Sequence, residues 1–172
     1  KDQDGKIDLI DVIEEIAKIP GIERIRLSSI EPRWVTTEKL LRLKATGKFC
    51  DHFHLSLQSG CDKILKSMNR HYDTKIFSER IDLIRKVFPD CGITTDVIVG
   101  FPDETEDDLN KTIEFCKKIG FSRIHIFPYS QRTGTPAAIF KSQVSPEIKK
   151  KRVSKLEKVE ETLRFNFLEE HI

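Results

Sequence analysis

The sequence has no apolar run of about 18 residues, so no membrane-spanning helix is expected. Its four cysteines, Cys50, Cys61, Cys91 and Cys116, lie far apart, with no CxxC or CxxxCxxC spacing among them. That spacing speaks against a local metal or cluster site. No secretory signal precedes them, so disulfides are not expected and ordinary buried or surface thiols are. An excess of charge of one sign is also lacking. A net charge of +2 neither demands nor excludes nucleic acid. The first residues, Lys1-Asp2-Gln3-Asp4-Gly5-Lys6, have no Met and read as the inside of a longer chain, for which a cytoplasmic location is expected.

What is present is an ordinary soluble composition, 38% hydrophobic and 34% charged over 172 residues. That is long enough for one sizeable core. Helix-like and strand-like segments alternate. Ile7, Leu9, Ile10, Val12, Ile13, Ile16 and Ile19 recur at helical spacing until Pro20-Gly21. Residues 24–29 read as a strand, Thr37 as the cap of a helix ending at Gly47, and residues 52–58 as an alternating strand. Helices over 64–68 and 75–87 follow, then a strand over 92–99. Thr105 with Glu106, Asp107 and Asp108 opens a further helix to Gly120, residues 123–127 form the last strand, and Ser145-Pro146-Glu147 starts a long final helix.

Such alternation predicts βαβ crossovers and a parallel sheet. One row of each strand is apolar: Ile25/Leu27, Phe53/Leu55/Leu57, Ile93/Val97/Val99 and Ile124/Ile126. The opposite row is largely polar: Arg26/Ser28, His54/Ser56/Gln58, Thr94/Asp96 and His125/Tyr129. Alternation sends the rows to opposite faces, and the apolar one should meet the helices. The polar face suits a curved, partial barrel that holds a ligand; a sheet with one face in water is the alternative. A closed barrel needs about 250 residues. The expected fold is therefore α/β, a partial parallel (β/α) barrel truncated to about its last four strands. Residues 1–140 would form the barrel part and 141–172 a C-terminal helix leading towards a further domain.

Ligand sites in parallel α/β folds collect at the carboxyl ends of strands. Four such ends are visible: Ser28-Ser29-Ile30-Glu31-Pro32, Gln58-Ser59-Gly60, Gly100-Phe101-Pro102-Asp103-Glu104-Thr105 and Phe127-Pro128-Tyr129-Ser130. Each combines short polar side chains or a glycine that admits close backbone approach. No nucleophile–base pair or Schiff-base lysine lies at these ends, which weighs against an ordinary barrel hydrolase or aldolase.

The segment His54-Leu55-Ser56-Leu57-Gln58-Ser59-Gly60-Cys61-Asp62 with Leu65-Lys66-Ser67-Met68-Asn69-Arg70-His71-Tyr72 resembles the radical S-adenosylmethionine methylthiotransferases. Asp96-Val97-Ile98-Val99-Gly100-Phe101-Pro102 with Glu104-Thr105-Glu106 is similar to a second motif of that family. Phe127-Pro128-Tyr129-Ser130 with Arg132, Gly134, Thr135, Pro136 and Ala137-Ala138 is similar to a third. Within the family, Arg26 to Pro32 and Cys61-Asp62 resemble the branch acting on threonylcarbamoyladenosine in tRNA. The resemblance departs from the family pattern at Asp103, where relatives carry Gly, and in the missing CxxxCxxC triad.

The resemblance implies a radical enzyme that adds a methylthio group to the modified adenosine at position 37 of tRNA. Its cofactors are S-adenosylmethionine, cleaved to a 5′-deoxyadenosyl radical, and 4Fe-4S clusters whose ligands are not expected in this sequence, so the chain alone should be inactive. It further implies cofactor contacts at Gln58, Ser59, Arg70, Asp96, Ile98, Gly100, Tyr129 and Ser130, with Ser28 and Glu31 near the substrate; no catalytic or metal-binding residue is expected. Arg70 would pair with the cofactor carboxylate. A binding module that has lost catalysis and holds only a nucleotide or RNA is the alternative. Lys149-Lys150-Lys151-Arg152 reads first as the solvated face of an amphipathic helix and second as an RNA phosphate contact. An opened barrel edge makes self-association an expectation as well.

Overall fold

The computed structural model describes residues 7–171. Helix α1 (Leu9–Lys18) starts at an Asp8 cap, where the Asp8 and Asp11 carboxylates satisfy each other's free amides. Lys39, with help from the Trp34 indole, holds the Asp8 carboxyl at about 2 against the opposing effect of burial. Helix α2 (Thr37–Ala45) is capped by Thr36 rather than Thr37; its hydroxyl accepts from Lys39 N–H at 3.2 Å. Next come strand β1 (His52–His54), the short helix α3 (Asp62–Ser67) and helix α4 (Thr74–Val87). Strand β2 (Gly92–Val99), helix α5 (Glu106–Ile119), strand β3 (Arg123–Pro128) and helix α6 (Pro146–Glu170) complete the order.

The strands form one parallel sheet in the order β1-β2-β3. The expected partial barrel is what forms, but the first predicted strand is reduced to two bridges, Ile25 with Phe49 and Ile30 with Leu55. Ser29, at φ +52, lies in the left-handed region, which breaks the extended geometry a ladder needs. The apolar rows meet the helices as predicted. Phe53, Leu55, Leu57, Ile93, Val97, Val99 and Ile124 share one core with Leu40, Leu43, Phe77, Ile81, Ile84, Leu109 and Ile113 from the helices. On α1 only Ile10 and Ile13 join that core; Leu9, Val12, Ile16 and Ile19 stay exposed.

The second predicted strand also departs from a plain ladder. His54 pairs with Thr94 but Gln58 pairs with Val97, so the segment continuing β1 to Gln58 carries one residue more than the stretch of β2 beside it. The extra residue is a bulge. The fully buried Thr95 splints it: its hydroxyl donates to the Leu55 carbonyl and accepts from Leu57 N–H at 3.0 Å. The ladder then resumes, with Gln58 N–H on Asp96 O at 2.8 Å and Ile98 N–H on Gln58 O at 2.9 Å. Tyr72 adds a second brace by donating to the Ser56 carbonyl at 2.6 Å, and burial pushes its phenol up to about 12.

Thr95→Val keeps the shape of the side chain but strands a buried N–H and a buried carbonyl. It should cost about 2 kcal/mol or more in urea unfolding, whereas Thr95→Ser, which keeps the hydroxyl, should cost less. Equal stability of Thr95→Val and the parent chain would refute the splint.

Candidate functional site

The strand ends are shaped by residues whose backbone is unusual. Gln58 (φ +68), Asp103 (φ +65) and Ser29 (φ +52) are non-glycine residues in the left-handed region, each at a strand end or its following turn. Such conformations carry a cost of roughly 1 kcal/mol or more and cluster where function fixes the backbone. The backbone at Asp103 also bears on the position where the resemblance leads one to expect Gly. The turn requires positive φ, which Gly takes freely and Asp tolerates.

Behind the rim the polar face is a connected network. Arg26 Nε donates to His52 Nδ1 at 3.0 Å, and His52 Nε2 lies 3.2 Å from the Thr94 hydroxyl. That hydroxyl is 2.9 Å from His54 Nδ1, and His54 Nε2 is 3.1 Å from Asp96 Oδ2. The His54 and His125 rings lie 5.7 Å apart. His54 is thus the satisfied interior histidine that the pattern allowed, and it fixes Asp96. Burial, the Arg26 cation and His54 together bring His52 down to about 4.

Asp96 opens into a cleft of about 570 Å³ lined by Gln58, Arg70, Asp96, Ile98, Tyr129 and Ser130, together with Phe127, Pro128, Arg132, Thr135 and Ala137. The volume suits a drug- or cofactor-sized molecule. Two buried polar atoms on its lining residues, Arg70 Nε and Tyr129 Oη, have no hydrogen-bond partner among the described residues. The lining combines a guanidinium, a carboxylate, amide and hydroxyl groups, and the apolar surfaces of Ile98, Phe127, Pro128 and Ala137. That donor set fits S-adenosylmethionine, which carries a carboxylate, an ammonium, ribose hydroxyls and a flat adenine.

Not every sequence candidate reaches the cleft. Ser59 is buried behind it, its hydroxyl 3.3 Å from that of Thr112 and accepting from Cys61 N–H at 3.2 Å, so it holds the turn against α5. Gly60 N–H donates to the same Thr112 hydroxyl, and a Cβ on Gly60 would lie 2.8 Å from Thr112 Cα. Gly100 forms the corner below the cleft rather than its lining. Ser28 and Glu31 are exposed on the bridged outer segment and do not line the cleft. Conversely, Phe127, Pro128, Arg132, Thr135 and Ala137 line it without having been assigned a role; their signal was membership of the third motif.

The turns around the cleft are locked by buried charge. Asp108 is nearly fully buried and bonds Lys63 Nζ at 2.6 Å, the Thr105 N–H at 2.9 Å and the Cys61 thiol at 3.4 Å. Burial alone would raise its pKa, but these partners hold it well below the usual carboxylate range. Glu104 accepts from Gly100 N–H at 2.9 Å and from Arg152 at 2.8 Å, while burial pushes its pKa up.

The cysteines do not gather. Cys61, Cys91 and Cys116 are buried separately, and burial raises Cys91 to about 11 and Cys116 to about 12. Among the described residues no three His, Cys, Asp or Glu side chains converge as metal ligands. Nor, among them, is any helix long and apolar enough to cross a membrane.

Comparison with known proteins places this geometry. Residues 2–116 match the family model of the Radical SAM superfamily. The chain is 40% identical over 163 residues to a tRNA-2-methylthio-N(6)-dimethylallyladenosine synthase of Natranaerobius thermophilus, covering 95% of this chain and 36% of that protein. It is 46% identical over 143 residues to the threonylcarbamoyladenosine tRNA methylthiotransferase MtaB of Thermotoga maritima, covering 83% and 33%. The chain thus spans about a third of the length of the curated relatives it matches. Its fold is similar to coproporphyrinogen III oxidase (HemN) of Escherichia coli, described as a radical SAM enzyme, with TM-score 0.63 and 19% identity over 79% of this chain and 32% of that one.

The network makes a pH prediction. His52 titrates at about 4 when folded and about 6.5 when unfolded, so its contribution is complete above pH 6.5 and is lost as pH falls towards 4. Stability should therefore decline over that window, and His52→Gln should flatten the slope. A folded-state His52 resonance titrating near 6.5 would rule this out.

Proposed function

The chain belongs to the Radical SAM superfamily, and from that premise we propose that it supplies the S-adenosylmethionine cradle of a tRNA methylthiotransferase. The observation that carries the reading is the cleft, where Gln58, Arg70, Asp96, Ile98, Tyr129 and Ser130 converge from three strand ends and the α3–α4 turn. The reaction proposed for the enzyme as a whole is addition of a methylthio group to the modified adenosine at position 37 of tRNA. Relatives of two substrate classes match this chain at similar identity. Of these the threonylcarbamoyl type is favoured by the segment Arg26 to Pro32 and by Cys61-Asp62.

Bound S-adenosylmethionine supplies a methyl group or, on reduction, a radical. The chain's own residues bind and orient it. Arg70 offers a forked donor to the carboxylate, the arrangement guanidinium groups favour. Asp96, with one oxygen held by His54, keeps a fixed acceptor for the ammonium or a ribose hydroxyl. Ile98, Pro128 and Ala137 give adenine an apolar bed, and the Ser130 hydroxyl and Gln58 amide add polar contacts at the rim. Fixing these groups before binding reduces the ordering cost that binding carries. The described residues assign no step to a cluster, and the chain alone is proposed to bind the cofactor without cleaving it.

Calorimetric titration should show one S-adenosylmethionine per chain. Arg70→Ala and Asp96→Asn should each weaken binding about tenfold or more, which corresponds to roughly 1.4 kcal/mol. Chromatography of the mixture should recover the cofactor intact. No measurable binding, or variants that bind as the parent does, would overturn the cradle.

A further inference from the structure

The run Lys149-Lys150-Lys151-Arg152 opens α6 and looks, in sequence, like a uniform basic patch. In the fold it divides. Lys149, Arg152 and Lys155 recur at three-residue spacing and face the rest of the protein. Lys155 bonds Glu106 and Asn110 on α5, each at 2.7 Å. Lys150 and Lys151 are exposed.

The inward pair touches the two strand ends beneath the cleft. Lys149 Nζ donates to the Tyr129 carbonyl at 2.9 Å and lies 5.1 Å from the centre of the Tyr129 ring. Its alkyl stem crosses Gly100 so closely that a Cβ there would come within 2.5 Å of Lys149 Cγ. Gly100 also has φ +73, so the position demands glycine on both grounds. Arg152 bonds Glu104 Oε1 at 2.8 Å with both side chains buried, and the same oxygen accepts Gly100 N–H at 2.9 Å. Tyr129 N–H in turn donates to Val99 O at 2.8 Å, tying the end of β3 to the residue before Gly100. Two side chains less than one helical turn apart thus hold the adjacent ends of β2 and β3.

We infer that Lys149 and Arg152 are positioning residues of the cofactor cleft, clamping the Gly100 corner and Tyr129 in the geometry that receives S-adenosylmethionine. The inference rests on the cofactor reading of the cleft. It assigns α6 to the site itself and removes half of the basic run from any RNA contact. A guanidinium that donates to a buried carboxylate while filling its pocket is not replaced by an ammonium, so Lys at 152 restores charge but only part of the geometry.

The test combines calorimetry of S-adenosylmethionine with amide hydrogen exchange at Gly100 and Tyr129 in the full chain. Lys149→Met should weaken binding about tenfold and speed exchange at these amides while the chain stays folded. Arg152→Gln should do the same, with Arg152→Lys intermediate. Because Arg152→Gln leaves the Glu104 charge buried alone and risks unfolding, the paired Glu104→Gln/Arg152→Gln variant keeps neutrality and should show the same loosening of Gly100. Lys150→Met/Lys151→Met should leave affinity within about twofold. Unchanged affinity and exchange in Lys149→Met and the paired variant would overturn the clamp. So would an equal loss in the outward pair, which would show a general charge effect. A parent chain that binds no S-adenosylmethionine would instead overturn the cradle reading and this inference with it.

Discussion

The Thr95 hydroxyl carries a constraint on which the rest of the site depends. It replaces two ladder contacts where the segment continuing β1 holds one residue more than β2. Without it, the Leu55 carbonyl and Leu57 N–H would be buried and unpaired, at a cost of about 1–3 kcal/mol each. With it, the strand keeps Phe53, Leu55 and Leu57 in the core and still delivers Gln58, in a left-handed conformation, to the cleft.

The cleft is held from behind as well as from below. On the polar face, Arg26, His52, Thr94 and His54 form a chain of hydrogen bonds that ends on Asp96. Below the rim, Asp108 and Glu104 are buried carboxylates, each bonded to a cationic side chain and to a backbone amide. Breaking a buried pair costs more than the pair contributes, because the surviving charge is stranded. Such groups add little net stability, yet they leave few alternative positions for the turns they join. Among the buried polar atoms without a hydrogen-bond partner, those on Arg70 and Tyr129 lie on the cleft's own residues.

Much of this was legible in the sequence, and the reasons are physical. The opposed apolar and polar rows follow from strand geometry alone, and the core contains the predicted apolar residues of β1, β2 and β3. Ser145-Pro146 and Thr105 marked helix starts because capping is local chemistry. The bulge was not legible, because it depends on Thr95, a residue of the neighbouring strand some forty positions away. Nor was the weak pairing of residues 24–30, where the left-handed Ser29 is set by tertiary context. Ser59 shows the limit of motif transfer: the residue stands where the motif requires, but its side chain serves the turn. Lys149 and Arg152 show the converse, since helical spacing alone could not say which charges of the run face inward.

The central claim is that the strand ends form one S-adenosylmethionine cleft. Backbone amide chemical shifts of the labelled chain, followed as the cofactor is added, test it most directly. The account predicts saturable shifts at Gln58, Arg70, Asp96, Ile98, Tyr129 and Ala137, reaching Gly100 through Tyr129 and Lys149. Shifts confined to other surfaces, such as the cavity of about 280 Å³ between His125 on β3 and Glu157 on α6, would contradict it.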